Sequence, residues 1–232
     1  MGMGRVMGRT VIAMTSSEDR YSRQASLVPA EKLATCHVTV VGVGAIGRQV
    51  ALQLAAIGCS HLILVDPDTV ELVNLPTQGY RERDLGRAKV EATAEDCHSL
   101  NTAATIIQKN NRFQRSQNPG NILFCCVDSI ETRKLIWQAV QGKVILFVDA
   151  RAAGETIRVL TAGSMESREH YPGTLFRGEE AVQAACTAKL TVYVANIAAG
   201  IMVAQFAKWL RGLPTDSDLL LNLLSAELTV GV

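Results

Sequence analysis

The stretch CHVTVVGVGAIGRQVALQLAAIG, residues 36–58, decides the fold. A β-branched run ends abruptly in glycine, and the residues that follow are rich in alanine and leucine at helical spacing. That succession predicts a strand, a tight turn and a helix. Within it Gly42, Gly44 and Gly47 form the pattern GxGxxG in the setting that gives the pattern a mechanism. Glycine permits the turn and a close backbone approach, and the helix N-terminus offers unpaired N–H groups to a phosphate. Asp66, at the end of the next apolar run HLILVD (residues 61–66), could accept hydrogen bonds from ribose hydroxyls. These features indicate a nucleotide site without choosing between NAD and ATP.

Outward from this unit, strands and helices alternate. Helical character runs from Leu85 to Leu100, a strand is expected over Ala103 to Gln108, and NILFCCV (121–127) reads as a strand. Ile130 to Val140 is predicted helical, and KVILFVDA (143–150) supplies another buried strand, ending at Asp149. Alternation of this kind implies a parallel sheet in an α/β fold, doubly wound and Rossmann-like. From Glu155 the pattern changes. ETIRVLTAG (155–163) alternates like a strand, HYPGTLFRG (170–178) suggests a crossover over the sheet, and LLLNLL (219–224) is a final strand or helix. The expectation is a mostly parallel sheet with a mixed C-terminal extension. Residues 1–17 are expected to form a flexible N-terminus and 18–232 a single domain, with 18–150 as its nucleotide-binding half and 151–232 as its crossover half, which would bind a partner protein and form the dimer. A helix starting at Ser16-Ser17-Glu18-Asp19 and carrying Arg20, Tyr21, Arg23 and Gln24 leads into it.

Bulk properties narrow the function. With 23 Lys and Arg against 22 Asp and Glu, the net charge is +1, which gives no field for gathering nucleic acid or anionic lipid. Cys36, Cys59, Cys97, Cys125, Cys126 and Cys186 contain no CxxC pair, and no secretory apolar segment is evident near the N-terminus. These point to a reduced, cytoplasmic protein without structural zinc. His37, His61, His98 and His170 lack metal-ligand spacing. The uncharged stretch from Leu190 to Ala207 is 18 residues long, the lower limit for a membrane span. Asn196, Gln205 and the many alanines favour a buried or dimer-interface helix instead.

Five motifs in order add specificity: RYSRQ (20–24), the glycine turn, LVDPDTVELVNLPTQ (64–78), DLGRAKVEA (84–92), and Asp128 after a strand. Together they resemble the MoeB/ThiF family of ATP-dependent adenylating enzymes, relatives of the ubiquitin-activating enzymes. The likeness is close over residues 18–150 and looser beyond. It implies that Gly42, Gly44 and Gly47 cradle ATP, that Asp66 binds its ribose, and that Asn74, Gln78 and Lys89 surround the phosphates. Asp68 joins this cofactor-binding set, although its place in Asp66-Pro67-Asp68 also suits a turn. Asp128 would position Mg2+, or alternatively cap the following helix, and Arg23 would cross from the other subunit of a homodimer. The implied substrate is a small ubiquitin-like or sulfur-carrier protein with a C-terminal Gly-Gly tail. A carboxylate attacking a phosphate brings anions together, and Arg23 and Lys89 are the cations suited to offset them.

The chain departs from the family pattern in having Thr77 where many members carry arginine before Gln78, leaving Arg81, Arg83 or Arg87 to reach in from the same loop. It also lacks the paired CxxC zinc ligands of many bacterial members. Cys186-Thr187, beside Lys189, resembles the pair at which ubiquitin-activating enzymes form a thioester, while its alanine-rich setting equally suits a packed thiol. Cys125 and Cys126 read as core residues. Competing functions are an NAD-dependent oxidoreductase, an adenylating dehydratase acting on a tRNA carboxylate, and a scaffold that kept the fold without its chemistry.

Overall fold

The computed structural model describes residues 20–175 and 190–231. At its centre is an eight-stranded sheet of β1 (Val38–Val41), β2 (His61–Val65), β3 (Thr105–Lys109), β4 (Ile122–Cys125), β5 (Leu146–Ala153), β6 (Thr156–Ala162), β7 (Asp218–Asn222) and β8 (Glu227–Gly231). Their spatial order is β3-β2-β1-β4-β5-β6-β7-β8. From β3 through β5 every neighbour is parallel, and from β5 to β8 every neighbour is antiparallel. The expected parallel sheet and its mixed extension are both present. The order of the parallel strands reverses between β1 and β4, and ligands of open α/β sheets bind in the crevice that such a reversal leaves.

The sheet is covered on both faces, which explains why β1 and β4 are buried at every position and apolar at all but Thr39, whose hydroxyl donates to the Pro119 carbonyl. Along β4, Ile122 and Phe124 face one side while Leu123 and Cys125 face the other, the two-residue period of a strand. The first face packs against α2 (Ala45–Ala56), α4 (Lys89–Leu100) and α7 (Val192–Leu210). The second meets α5 (Ile130–Val140) and Tyr171, where Trp137, Phe147 and Tyr171 close into an aromatic cluster. Shorter helices are α1 (Ala30–Ala34), α3 (Asn74–Gln78) and α6 (Met165–His170).

Helix α7 is long and apolar enough to cross a membrane by length and composition alone. Here Val194, Ala198, Met202 and Phe206, four residues apart, are fully buried on α2 and the sheet. The polar residues that argued against a lipid setting have partners. The Gln205 amide exchanges hydrogen bonds with the Asp216 carboxylate (2.8 Å) and backbone N–H (2.9 Å), and Asn196 donates to the Val192 carbonyl.

Several boundaries differ from expectation. The helix expected from Leu85 starts at Lys89, because Gly86 takes φ +78° and Ala88 is extended in a bridge to Thr69. A strand does not end at Asp149. β5 runs on to Ala153 and turns back into β6, leaving Asp149 fully buried in mid-strand. The loop after Pro67 contains α3 despite Pro76, which lies in the first turn, where no N–H is needed. LLLNLL contributes to β7 and its turn into β8. Ser16 to Asp19, the expected helix start, lies outside the described residues, and Arg23 and Gln24 occupy a 3₁₀ turn, Ser22–Gln24.

Candidate active site

The glycine turn divides its labour among its members. Gly42 has φ +84°, donates its N–H to the Val65 carbonyl at 2.8 Å, and leaves no room for a Cβ, which would stand 2.8 Å from the Cys126 carbonyl oxygen. A Cβ on Gly47 would stand 1.8 Å from the Gly42 oxygen, so helix and turn could not pack. Both glycines are demanded by the fold itself. Gly44 is different: a Cβ there would meet only the Gln78 side chain, at 3.8 Å. Gly44 is also the N-cap of α2 and supplies no capping side chain, so the first N–H groups of the helix face outward without one.

The turn is braced from beneath. Asp66 is 5 % exposed, and its carboxylate accepts the N–H groups of Val43 (2.6 Å) and Asp68 (2.9 Å). Burial pushes this carboxyl above its ordinary range, and the two N–H bonds and the Lys89 charge pull the other way. On the other side of the same residue, the Tyr80 hydroxyl donates to the Val43 carbonyl at 2.7 Å and meets the Thr93 hydroxyl at 3.1 Å. The Arg48 guanidinium lies 4.4 Å over the Tyr80 ring and is itself tied to Asp96 at 2.7 Å. Tyr80→Phe should therefore lower stability by about 1–3 kcal/mol, since a buried carbonyl loses its donor. Denaturant unfolding checks this, and an unchanged midpoint would mean that the hydroxyl does not hold the turn.

Beside the turn lies a cleft of about 420 Å³ lined by Pro67, Asp68, Thr69, Glu71, Asn74 and Lys89. Lys89 is 7 % exposed, and its ammonium sits 3.1 Å from the Asp68 carboxylate at the rim. The Asn74 side chain accepts the Glu71 N–H at 2.9 Å, and the Gln78 backbone carbonyl accepts from Gln49 at 3.1 Å. The side-chain oxygen of Gln78, next to Gly44, is buried without a hydrogen-bond partner. A buried acceptor left unpaired is costly, and this one borders the space that Gly44 leaves open. The arginines expected to reach in for the one missing at Thr77 do not do so. Arg81 pairs with Asp96 at 3.1 Å, Arg83 with Glu95 at 3.3 Å, and Arg87 with Glu95 at 2.7 Å, all along α4.

Across the strand-order reversal, Asp128 is exposed three residues beyond the end of β4. It does not cap α5. Ser129 does, accepting the Thr132 N–H at 3.2 Å, and the Asp128 carboxylate has no partner among the described residues. Arg23 is not brought to this site. Tyr21 packs against Gly58 and Gln24 donates to the Ile57 carbonyl at 2.6 Å, at the far end of α2 from the glycine turn. The twelve residues of that helix make the separation about 18 Å. Cys186, with Thr187 and Lys189, lies outside the described residues. Cys125 is fully buried, and burial pushes its thiol up to about 12.

The sequence reading missed Tyr80, Arg48, Arg133 and Asp149. A signal for the last pair was available, because the charged Asp149 and Arg151 interrupt an otherwise apolar strand and a buried charge needs a partner.

The ThiF family model matches residues 21–229. Among curated relatives, the maize adenylyltransferase and sulfurtransferase MOCS3-2 is 32 % identical over 111 residues, 45 % of this chain and 23 % of that protein. The NEDD8-activating enzyme E1 catalytic subunit of Arabidopsis thaliana is 27 % identical over 146 residues, 61 % of this chain and 32 % of that protein. The chain spans no more than a third of the length of these relatives. Among solved structures, E. coli MccB crystallised with ATP superposes with a TM-score of 0.73 at 18 % identity, covering 93 % of this chain and 72 % of that one. PaaA gives a TM-score of 0.74 at 20 % identity over 97 % of this chain and 85 % of that one, and both likenesses speak for the fold. With a family match running almost from end to end of the described residues, this chain belongs to the ThiF family.

Proposed function

We propose that the protein uses ATP and Mg2+ to adenylate the C-terminal carboxylate of a small ubiquitin-like or sulfur-carrier protein. The observation that carries this reading is the pairing, across the strand-order reversal, of the open Gly44 turn at the uncapped start of α2 with the Asp128 carboxylate, which has no partner among the described residues. Names among the relatives support it, since they include adenylyltransferases and a NEDD8-activating enzyme, and the MccB structure contains ATP.

The residues fit a nucleoside triphosphate. Phosphates would lie on the α2 N–H groups with Lys89 leaving Asp68 to reach them, and the orphaned Gln78 oxygen would gain a donor from the bound ligand. Asp66, with acceptor capacity left beyond its two N–H bonds, would take a ribose hydroxyl. A hard cation prefers oxygen ligands, and the exposed Asp128 carboxylate, without a partner among the described residues, is suited to hold it, where it would offset charge on the phosphates. A carboxylate oxygen of the carrier tail attacks the α-phosphorus, the bond to the departing pyrophosphate breaks, and an acyl-adenylate remains. ATP–pyrophosphate exchange dependent on a Gly-Gly-ended carrier protein tests the reading. Thermal stabilisation by NAD, with none by ATP, would replace it with a redox function.

Arg23 completes the site from a second subunit in this proposal, since its own glycine turn is at the far end of α2. Mixing inactive Arg23→Ala with inactive Asp128→Ala protein should restore up to about a quarter of the exchange, as one site in a mixed dimer then has both residues. No recovery despite demonstrated subunit exchange would rule out a shared site. Cys186 is proposed to take the acyl group as a thioester, with Cys186→Ala keeping exchange but losing the thiol-sensitive adduct on a denaturing gel.

A further inference from the structure

We infer that Arg133, locked by the buried Asp149, is the positioning residue for Asp128. The inference rests on the proposed role of Asp128 as the metal-holding carboxylate. Arg133 lies on α5 and is 5 % exposed, yet it is a charged side chain in the apolar layer beneath the sheet. Its three donors diverge to three fixed points. Nε donates to Asp149 Oδ1 at 2.7 Å, Nη2 to the Ala150 carbonyl at 2.9 Å, and Nη1 to the Asp128 carbonyl at 2.9 Å.

Asp149 in turn cannot move. It is wholly buried in mid-strand, and its other oxygen accepts from Arg151 Nε at 2.9 Å and from the Tyr171 hydroxyl at 3.1 Å. Arg151 continues the chain of contacts to the Thr174 carbonyl at 2.8 Å. Burying a carboxylate and a guanidinium is costly, and packing alone would be served as well by apolar residues of the same size. What an apolar residue cannot do is hold the Asp128 carbonyl, in the turn that follows β4. A planar fork fixed on strand β5 at two points and on Asp128 at the third transfers the rigidity of the sheet to a residue beyond its edge. The Asp128 side chain itself has no partner among the described residues, so its placement depends on this grip on its backbone and on the Ser129 cap that follows.

Removing such an outer support usually costs metal affinity about tenfold or more. The test uses Arg133→Lys, which keeps the charge but not the fork, and Arg133→Gln, which keeps neither. Both should fold, because Asp149 retains Arg151 and Tyr171. Two quantities are read: the rise in thermal midpoint that Mg2+ adds to ATP beyond ATP with chelator, and the Mg2+ concentration giving half-maximal pyrophosphate exchange. In both variants the ATP-only rise should persist, the added Mg2+ rise should largely vanish, and the half-maximal Mg2+ concentration should increase about tenfold. Tyr171→Phe, which touches only the other oxygen of Asp149, should keep the Mg2+ rise even where it costs stability. A folded Arg133 variant with a wild-type Mg2+ rise and requirement overturns the inference alone. No Mg2+ rise in the wild type, or a normal one in Asp128→Ala, overturns the metal role of Asp128 and this inference with it.

Discussion

Asp128→Ala should lower carrier-dependent ATP–pyrophosphate exchange by about a hundredfold or more while leaving thermal stability within about 0.5 kcal/mol of the wild type. Both halves of this expectation follow from where the residue sits. The side chain is exposed and makes no hydrogen bond among the described residues, and the cap of α5 belongs to Ser129, so the folded state loses no contact. The proposed chemistry loses an exposed carboxylate at the crevice. Losing a single well-placed electrostatic group in a phosphoryl or acyl transfer site commonly costs two to three powers of ten. Exchange near the wild-type rate in the folded variant would remove Asp128 from the machinery.

Gly47→Ala and Gly44→Ala should separate folding from binding within a single turn. At Gly47 the new methyl would be 1.8 Å from the Gly42 backbone oxygen, and a backbone atom at the start of a buried helix has nowhere to yield. The expected loss is about 3 kcal/mol, equivalent to about 10 °C in thermal midpoint for a chain of this size. At Gly44 the methyl meets only the Gln78 amide at 3.8 Å, and φ is −80°, outside the left-handed region. That variant should fold normally and lose about tenfold or more in ATP affinity, because the methyl stands where the backbone would approach phosphate. Equal stability losses in the two variants would refute this division. Unchanged ATP affinity in Gly44→Ala would move the nucleotide elsewhere.

The features legible in the sequence are those set by the backbone. Ile130 to Val140 has the expected bounds because a serine cap and an apolar face define it locally. The glycine turn was readable because a tight turn requires glycine, and Asp66 was legible as the strand end but not as the acceptor of the Val43 and Asp68 N–H groups. Where the reading failed, the deciding contact was distant in sequence. Arg81, Arg83 and Arg87 looked available for phosphate, and only the folded chain reveals the acidic row of Glu91, Glu95 and Asp96 that holds them on α4. Asp149 looked like the end of a strand because buried charge is rare, and its partner Arg133 lies 16 residues away on the covering helix. Tyr80 was invisible as a brace for the same reason, acting on Val43 from 37 residues away.

The double hold on Val43 has a thermodynamic consequence. With its N–H fixed by Asp66 and its carbonyl by Tyr80, the two peptide units that flank Val43 have little conformational entropy left to surrender when a ligand arrives. The ordering was completed during folding, and the free energy of contact with phosphate goes into affinity undiminished by loop closure. Association should then proceed in a single kinetic phase at the turn, with calorimetric heat capacity changes no larger than the buried ligand surface itself requires.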